Sequence, residues 1–481
     1  MMNAEDIAGI LNNLSDITCA GSLGYLPQMF FAKWCLDNLG LPENDPVVDD
    51  DQYQLFLRGI RNEKRNNLNL FAGVLCNLVP EVLFDEAPRE LSSAESQMKQ
   101  RLEESILKQT ENTLLSLDLS RAAVPRKEVA RGFDLYLHHV LTGRGGSRFG
   151  FSEKPGVAER IAAGIAKSLP AYSYSVYDPF CKFGTLLSCI DSPEKIASDE
   201  NPVYASIARI RAALAGKTDT KILIENHLKA PLTDEHGCLR QLGQVVSDLT
   251  GIDSDKETAL FQTDVHKRFQ TYCPELSSLS PVAAFCHAIA SAGLGNCILI
   301  GNAGGNFRGP GILDGISPEG ITSLLSRDLP EVVIDVAVSE EKPVTGESPM
   351  RPGRGREIRR IYVFNGSKAP ERRGKILFIN ATDVPASAVV SRVLSCVESF
   401  EEVPGFSAVV SCADILAAMG RRMFRIPGDV LFSPKQYTAC IAKPKETEIS
   451  HILRDIKRLE EQRVSLMKNI EEIAESLAED K

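Results

Sequence analysis

Hydrophobic positions repeat at two different spacings along this chain of 481 residues. Over the first part, apolar side chains recur every three or four residues, as at Ile7, Ile10, Leu11 and Leu14. That spacing places them on one face of an amphipathic helix, and strand-like alternation is nearly absent there. The pattern predicts an N-terminal helical domain over residues 1–141. Further helices are predicted over Tyr25–Leu39, Glu95–Leu117 and Val129–Leu141.

The pattern changes after the glycine-rich, basic segment Thr142–Gly150, which we interpret as a domain boundary. Short β-rich runs then alternate with helical stretches, and the runs read SYSVYD, KIAS, TKILIE, GQVVSD, NCILIG, EVVIDV, IYVFN and KILFINA. Helices are predicted between several of them, over Gly156–Leu169, Pro202–Ala215 and Pro281–Ala292. This alternation predicts an α/β fold, with a doubly wound, mostly parallel sheet and helices on both faces.

Two late β-rich runs, Arg359–Phe364 and Lys375–Ile379, are close together in the sequence. They predict an antiparallel hairpin added at one edge of the sheet. The α/β domain is predicted to occupy residues 142–445, ending with a small mixed stretch from about residue 405.

The C-terminal segment, residues 446–481, has the most regular pattern in the chain. Apolar residues alternate there at spacings of three and four, at Ile449, Ile452, Ile456, Leu459, Leu466, Ile470, Ile473 and Leu477. This spacing is typical of a coiled-coil helix of about four heptads. Such a helix docks a partner helix, and the alternative is an amphipathic helix that packs back on its own domain.

Apolar runs, net charge and cysteine spacing argue against several classes of protein. No apolar run reaches the roughly 18 residues that a membrane span needs, and the N-terminus lacks a signal-peptide pattern, so we expect a cytoplasmic protein without membrane contact. The net charge of −10 argues against coating nucleic acid by bulk attraction. The 12 cysteines form no CxxC pair, which favours reduced thiols and no metal site.

One segment is locally basic, between Met350 and Lys375. Its arginines are candidates for contacts with DNA phosphates, and the first four are Arg351, Arg354, Arg356 and Arg359. The alternative interpretation is a solvated hairpin with an exposed tip.

Candidate chemistry begins at Val176–Leu187, VYDPFCKFGTLL. A strand ends at Asp178, a tight turn follows, and a helix begins near Leu186. Such joints place backbone N–H groups against a cofactor at the carboxyl end of a sheet. Asp199 follows the next strand, in the position where a carboxylate would hold ribose hydroxyls. These residues predict a site for a nucleotide-like cofactor.

The same stretch resembles the S-adenosylmethionine loop of N6-adenine DNA methyltransferases, D-P-x-C-G-[ST]-G-G-L-L. Ser198–Gly216 is similar to that family's next motif, and Ser147–Ala162 resembles the F-Y-T-P segment that closes over the cofactor. His287–Gly311 and the late strands are similar to the segments after its catalytic motif. The N-terminal helices and the C-terminal segment resemble the modification (M) subunit of type I restriction–modification systems.

The resemblance implies a Rossmann-like, S-adenosylmethionine-dependent methyltransferase sheet. It also implies which residues would contact the cofactor: Phe151, Ser152, Asp178, Pro179, Phe180, Phe183, Gly184, Thr185 and Asp199. Partners implied by the family are DNA and a specificity-like or paralogous methyltransferase subunit, joined through the C-terminal helix.

Two departures from the family pattern bear on activity. Lys182 and Phe183 stand where the cofactor loop has small residues, and we expect them to obstruct the site. The family's catalytic N-P-P-F or N-P-P-Y falls on Gly243–Asp253, where Asp248 is the nearest counterpart of the asparagine. Prolines and an aromatic ring to stack on a flipped base are missing there. Asn201–Tyr204, NPVY, comes one strand too early and is interpreted as a helix start.

Three functions remain open at this point. The first is a catalytically inactive methyltransferase-like subunit of a restriction–modification or phage-defence complex. The second is an active N6-adenine methyltransferase with divergent motifs, in which Asp248 works and S-adenosylmethionine binds. The third is a sensor module that keeps only the pocket for S-adenosylmethionine or another nucleotide. The loss of the catalytic motif favours the first.

Overall fold

The computed structural model describes most of the chain except one long N-terminal stretch, several loops and most of the C-terminal segment. The described residues are 2–17, 22–38, 108–110, 112–143, 155–169, 175–217, 220–252, 264–272, 280–303, 311–338, 357–420, 428–439, 456–458 and 460–463. Phe151, Ser152, Arg351, Arg354 and Arg356 lie outside them, as does most of the predicted coiled coil.

Helices occupy both ends of the described chain and the connections between its strands. They are α1 (Ala4–Ile17), α2 (Ser22–Asp37), α3 (Arg126–Gly143), α4 (Val157–Ser168), α5 (Thr185–Ser188), α6 (Pro202–Ala215), α7 (Ser280–Ala292), α8 (Pro318–Ser326), α9 (Ala386–Ser399), α10 (Cys412–Gly420), α11 (Gly428–Leu431) and α12 (Pro434–Thr438).

Nine strands form one sheet in the order β3-β2-β1-β4-β5-β7-β6-β8-β9. They are β1 (Ser175–Asp178), β2 (Glu194–Asp199), β3 (Thr220–Ile224), β4 (Gln244–Asp248), β5 (Asn296–Asn302), β6 (Pro330–Val338), β7 (Glu357–Asn365), β8 (Lys375–Ala381) and β9 (Ser407–Ser411). The first five are mutually parallel, whereas β7 runs antiparallel to both β5 and β6.

The predicted hairpin between Arg359–Phe364 and Lys375–Ile379 is wrong. β7 lies between β5 and β6, and β8 pairs with β6 and β9 instead. The physical reason is burial: residues 360–365 are all buried, so β7 needs a strand on each side. A hairpin at the edge would have left that apolar strand half-covered.

Both faces of the sheet are covered, as the alternation of strands and helices predicts. Successive residues of a strand enter opposite cores: Val245 packs with α7 on one face, and Val246 packs with α4 and α9 on the other. The doubly wound α/β architecture predicted from the sequence is therefore confirmed.

The N-terminal helices form a third apolar cluster. Ile7, Leu11 and Leu14 are buried along α1, as their spacing predicts. The rings of Phe30 and Phe133 stack at 5.7 Å between α2 and α3. The cluster continues onto α6, so the helices contact the α/β core directly behind the loop that follows β1.

The strand order reverses between β1 and β4. β2 and β3 extend the sheet to one side of β1, and β4 and β5 extend it to the other. In open α/β sheets, ligands bind at this reversal, outside the carboxyl ends of the strands. Asp178 is the last residue of β1 and Asp248 is the last residue of β4. The fold therefore places two of the candidate residues where a ligand is expected.

Candidate functional site at the ends of β1 and β4

The turn after β1 begins with Asp178, whose carboxylate is 1% exposed. Its Oδ1 accepts hydrogen bonds from the Ser247 hydroxyl at 2.7 Å and the Phe180 N–H at 3.2 Å. Burial raises the pKa of Asp178 to about 7, because these neutral donors only partly offset the lost hydration. Asp178 thus accepts a proton near neutral pH, and it holds the turn in place.

Gly184 is the point in this turn where a side chain would not fit well. Its φ is +71°, in the left-handed region, and an added Cβ would lie 3.3 Å from the Cβ of Ala208. The Gly184 N–H donates to the carbonyl of Cys181 at 2.7 Å, and α5 begins at the next residue, Thr185. The one glycine kept from the family's loop is therefore the one that the local backbone requires.

Asp199, at the end of β2, is bonded to the β1 turn. Its Oδ2 accepts the Lys182 N–H at 2.9 Å, and its Oδ1 accepts the Asn201 N–H at 2.9 Å. Burial raises its pKa, although these hydrogen bonds act in the opposite direction. Asp199 therefore supports the loop that follows β1.

Asn201 begins α6, as the sequence predicts. Its side-chain oxygen accepts hydrogen bonds from the N–H groups of Val203 and Tyr204, and Pro202 occupies the first turn. The interpretation of NPVY as a helix start is confirmed.

The side chain of Phe183 packs against the N-terminal helices, although the residue also forms part of the wall of the cleft between the ends of β1 and β4. Its side chain is 2% exposed and belongs to the apolar cluster of the N-terminal helices. Its ring lies 4.7 Å from the ring of Tyr204. Arg211 fixes this part of the loop by donating to the Phe183 carbonyl and to the Asp134 carboxylate, the latter at 2.7 Å. Phe183 therefore anchors the loop to the cluster of N-terminal helices.

Lys182 reaches across the carboxyl ends of the strands to β4. Its ammonium lies 3.1 Å from Oδ2 of Asp248, donates to the carbonyl of Thr250, and lies 3.2 Å from the Thr250 hydroxyl. The backbone of Lys182 is left-handed, with a φ of 49°. This contact connects the loop after β1 to the position where the resemblance places the catalytic residue.

The two carboxylate oxygens of Asp248 have different partners. Oδ2 faces the Lys182 ammonium, and Oδ1 is bonded by Thr250. Its Oδ1 accepts the Thr250 N–H at 2.9 Å and the Thr250 hydroxyl at 2.7 Å. Burial acts to raise the pKa of Asp248, but Lys182, Arg359 and Thr250 outweigh it, so the pKa lies below its usual value. Asp248 is an ionised acceptor with its charge already compensated.

A small cleft, partly open to solvent, lies between these elements. Three carboxyl groups and one ammonium face it, from Glu159, Asp178, Asp248 and Lys182. Burial, and then the nearby Asp248, raise the pKa of Glu159 on α4. Phe180 is the aromatic residue of the lining besides Phe183, and its ring packs edge-on against His287 at 6.3 Å. The cleft is acidic apart from the cation that the chain itself supplies.

A buried polar network lies next to the β1 turn. The Tyr177 hydroxyl is within hydrogen-bond distance of His227 Nδ1 at 2.5 Å and His287 Nε2 at 3.1 Å. Ser198 lies 2.6 Å from the same nitrogen of His227 and donates to the carbonyl of Pro179 at 3.0 Å. The network therefore supports the turn from within the core.

Arg268 closes that network. It donates to His287 Nδ1 at 3.0 Å and to the carbonyl of His227 at 2.9 Å, and it pairs with Asp264 at 3.0 Å. Burial and the neighbouring Arg268 hold the pKa of His287 well below its usual value, so this imidazole is neutral. Sequence reasoning missed this network because its members come from separate segments without a shared motif. Lys182 was noticed, but not its contact with Asp248.

Arg359 is the one predicted DNA-contact residue inside the described chain. It lies at the start of β7, opposite Asn302 at the end of β5, and is therefore at the same edge as Asp248. Its side chain is 15% exposed, pairs with Glu357 and donates to Asn302 at 3.1 Å. Its positive charge contributes to the low pKa of Asp248.

The described residues lack two further features. No group of three or more His, Cys, Asp or Glu side chains is arranged there to hold a metal ion. Within the same ranges, no helix has the length and apolarity needed to cross a membrane.

Comparison with known proteins finds structural matches at low sequence identity. No protein-family model and no curated protein sequence matches the chain. The methyltransferase subunit of a type I restriction–modification system from Streptococcus thermophilus matches 90% of this chain and 99% of its own, with a TM-score of 0.55 and 13% identity. A modification subunit of a type I restriction enzyme from Vibrio vulnificus matches 86% and 94%, with a TM-score of 0.51 and 11% identity.

The similarity extends over nearly the whole of both chains. The chain has the fold of type I restriction–modification methyltransferase subunits, a Rossmann-like fold with added helices. At these identities the match establishes the fold, and the function has to be argued from the site.

Proposed function

We propose that this chain is a methyltransferase-like subunit of a type I-like DNA modification or restriction complex and that it transfers no methyl group itself. Its fold supports the first part, because the similarity to two modification subunits covers 90% and 86% of this chain. DNA and a specificity-like or paralogous subunit are the proposed partners, with the C-terminal segment as the docking element. Domain limits at residues 142 and 446 are part of the proposal.

The observation that carries the loss of catalysis is the composition of the β4 end. Four residues, Asp248–Gly251, stand where the family has an asparagine, two prolines and an aromatic ring. Leu249 is 3% exposed and packs in the core, and Gly251 has no side chain. A flipped base would find an acceptor in Asp248 but no ring to stack on at this strand end.

S-adenosylmethionine fits one part of the site and not the other. Asp199 and the turn at Gly184 are suited to the ribose side of a nucleotide cofactor. Lys182 is not, because its ammonium neutralises the acidic lining that would otherwise attract a cationic sulfonium. We therefore propose that the cofactor is excluded while Lys182 contacts Asp248.

The test is transfer of a labelled methyl group from S-adenosylmethionine to adenine-containing DNA, with the partner subunits present. We expect no transfer from the wild-type chain. We expect none after Asp248→Asn, Leu249→Pro, Thr250→Pro and Gly251→Phe are combined, because Lys182 remains. An authentic type I modification complex is the positive control, and transfer by the wild-type chain would overturn the proposal.

The sensor alternative is supported by the carboxylates that still face the cleft. Calorimetric titration with S-adenosylmethionine and S-adenosylhomocysteine separates the two functions. Binding at micromolar concentration without methyl transfer would favour a sensor, whereas no binding at millimolar concentration agrees with exclusion by Lys182.

A further inference from the structure

Three oxygen atoms at the end of β4 converge on one nitrogen. They are Oδ2 of Asp248, the carbonyl oxygen of Thr250 and the hydroxyl oxygen of Thr250, and the nitrogen is the ammonium of Lys182. An ammonium group has three N–H donors and no acceptor. Each donor of Lys182 therefore has an oxygen to bond, and we call these three oxygens the amine cage.

The cage is assembled by β4 and the turn after it, without help from Lys182. The N–H and hydroxyl of Thr250 both donate to Oδ1 of Asp248, at 2.9 Å and 2.7 Å. These bonds leave Oδ2 of Asp248 and the remaining lone pairs of Thr250 available to the Lys182 ammonium. Because the acceptors hold each other, we expect the cage to persist when its occupant leaves.

Lys182 contacts the cage from a backbone conformation that is unfavourable for a residue other than glycine. It is a non-glycine residue with a φ of 49°, in the left-handed region. Its N–H is bonded to Asp199 at 2.9 Å, so the residue bridges the ends of β2 and β4 in front of β1. Strained backbone at a cleft persists only where surrounding contacts impose it, and it concentrates at functional sites.

We propose that Lys182 is a built-in occupant of an amine-binding cage, and that the cleft admits an external amino group only when Lys182 is removed or withdraws. The proposal deepens the proposed function and rests on it for the substrate class, an amino group carried by a nucleobase. The occupancy itself is a property of this chain and is tested without cofactor or DNA.

The test uses Lys182→Gly in the full-length chain, with n-butylammonium chloride as a replacement for the missing side chain. Glycine suits the left-handed backbone and leaves space for a four-carbon amine. We expect the amine to raise the Tm of Lys182→Gly by about 2 °C or more and to leave wild-type Tm unchanged. Neutral n-butanol and equal concentrations of NaCl are the controls for apolar binding and ionic strength.

A matched double variant tests whether the amine binds the cage. Lys182→Gly combined with Asp248→Asn removes the carboxylate, and we expect it to lose the response to butylammonium. Equal responses of Lys182→Gly and wild type, or an undiminished response of the double variant, would overturn the proposal.

A second measurement does not depend on the folding of any variant. Amine-reactive labelling of the wild-type chain, read by mass spectrometry, should modify Lys182 at least about tenfold more slowly than the exposed Lys167 and Lys221. Reaction of Lys182 at the rate of those two lysines would overturn the proposal. Methyl transfer by the wild-type chain would refute the proposed function and leave both of these results unchanged, so the two failures are distinguishable.

Discussion

Asp178 and Asp248 end neighbouring parallel strands at the same edge of the sheet, yet the protein shifts their pKa values in opposite directions. Asp178 receives hydrogen bonds from neutral donors alone among the described contacts, and burial raises its pKa to about 7. Asp248 faces Lys182 and Arg359, and these cations keep its pKa below the usual value despite burial. One strand end is therefore organised around a carboxyl that readily takes a proton, and the other around a fixed anion.

The two strand ends also differ in what holds them. The turn after β1 is supported from the core, where Ser198 bonds Pro179 and the network reaches Arg268. The cage after β4 is filled by one side chain that crosses the cleft. The difference teaches that the strand end at Asp178 is held by contacts within the core, whereas the strand end at Asp248 is held in part by a side chain that crosses the cleft.

The largest predicted effect is the pH dependence that Asp178 contributes to the free energy of unfolding. Its absence would contradict the difference between the two strand ends. Because its folded pKa of about 7 lies above its value in the unfolded chain, the folded state holds a proton between about pH 4 and pH 7. Its stabilising contribution is complete below about pH 4 and is lost as pH rises to about 7. A shift of about 3 units corresponds to roughly 4 kcal/mol over that range.

Asp178→Asn keeps an oxygen acceptor for Ser247 and Phe180 and removes the titration. We expect urea denaturation of wild type to lose up to about 4 kcal/mol relative to this variant between pH 4 and pH 7. Asp248 has the opposite sign: its lowered pKa stabilises the fold at neutral pH, and that contribution is lost at acidic pH below its usual pKa. A constant difference between Asp178→Asn and wild type across the range would contradict the prediction.

The second prediction concerns the support behind the β1 turn. Asp264 and Arg268 form a pair with side chains only 3% exposed each. Asp264→Asn leaves a buried guanidinium without its counter-ion, and we expect a loss of about 3 kcal/mol in the free energy of unfolding. Glu5→Gln is the matched control, since it breaks the exposed pair with Arg131 and should cost less than about 1 kcal/mol. Equal costs for the two variants would mean that the network does not hold the turn.

Some features of the fold around these strand ends could be predicted from the sequence, and others could not. The order of strands and helices, the end of β1 at Asp178 and the start of α6 after Asn201 follow from periodicity and capping, which are local properties. The placement of β7 between β5 and β6 does not, because strand order depends on which apolar strands need cover on both sides.

The candidate site was predicted in part. Residue type and spacing indicated Asp178 and Asp199, the resemblance added Gly184, and the structure places Asp199 in contact with the turn that contains the other two. The burial of the Phe183 side chain among the N-terminal helices and the contact of Lys182 with Asp248 could not be predicted from the sequence. Neighbouring residues of an irregular loop can point in any direction. Their side chains are placed by φ angles and tertiary packing that no sequence period encodes.

The smallest predicted effect tests whether β4 imposes strain on the β1 loop through Lys182. Lys182→Gly and Lys182→Ala remove the same ammonium, but only alanine has to keep a Cβ at a φ of 49°. We expect Lys182→Gly to be more stable than Lys182→Ala by about 1 kcal/mol in urea denaturation. At the exposed helical Ser395 in α9, the order should reverse, with Ser395→Gly less stable than Ser395→Ala by about 1 kcal/mol. If alanine is the more stable residue at both positions, the loop is free to relax when the ammonium is removed. The left-handed backbone would then be a consequence of the contact with Asp248 and not a fixed feature of the turn.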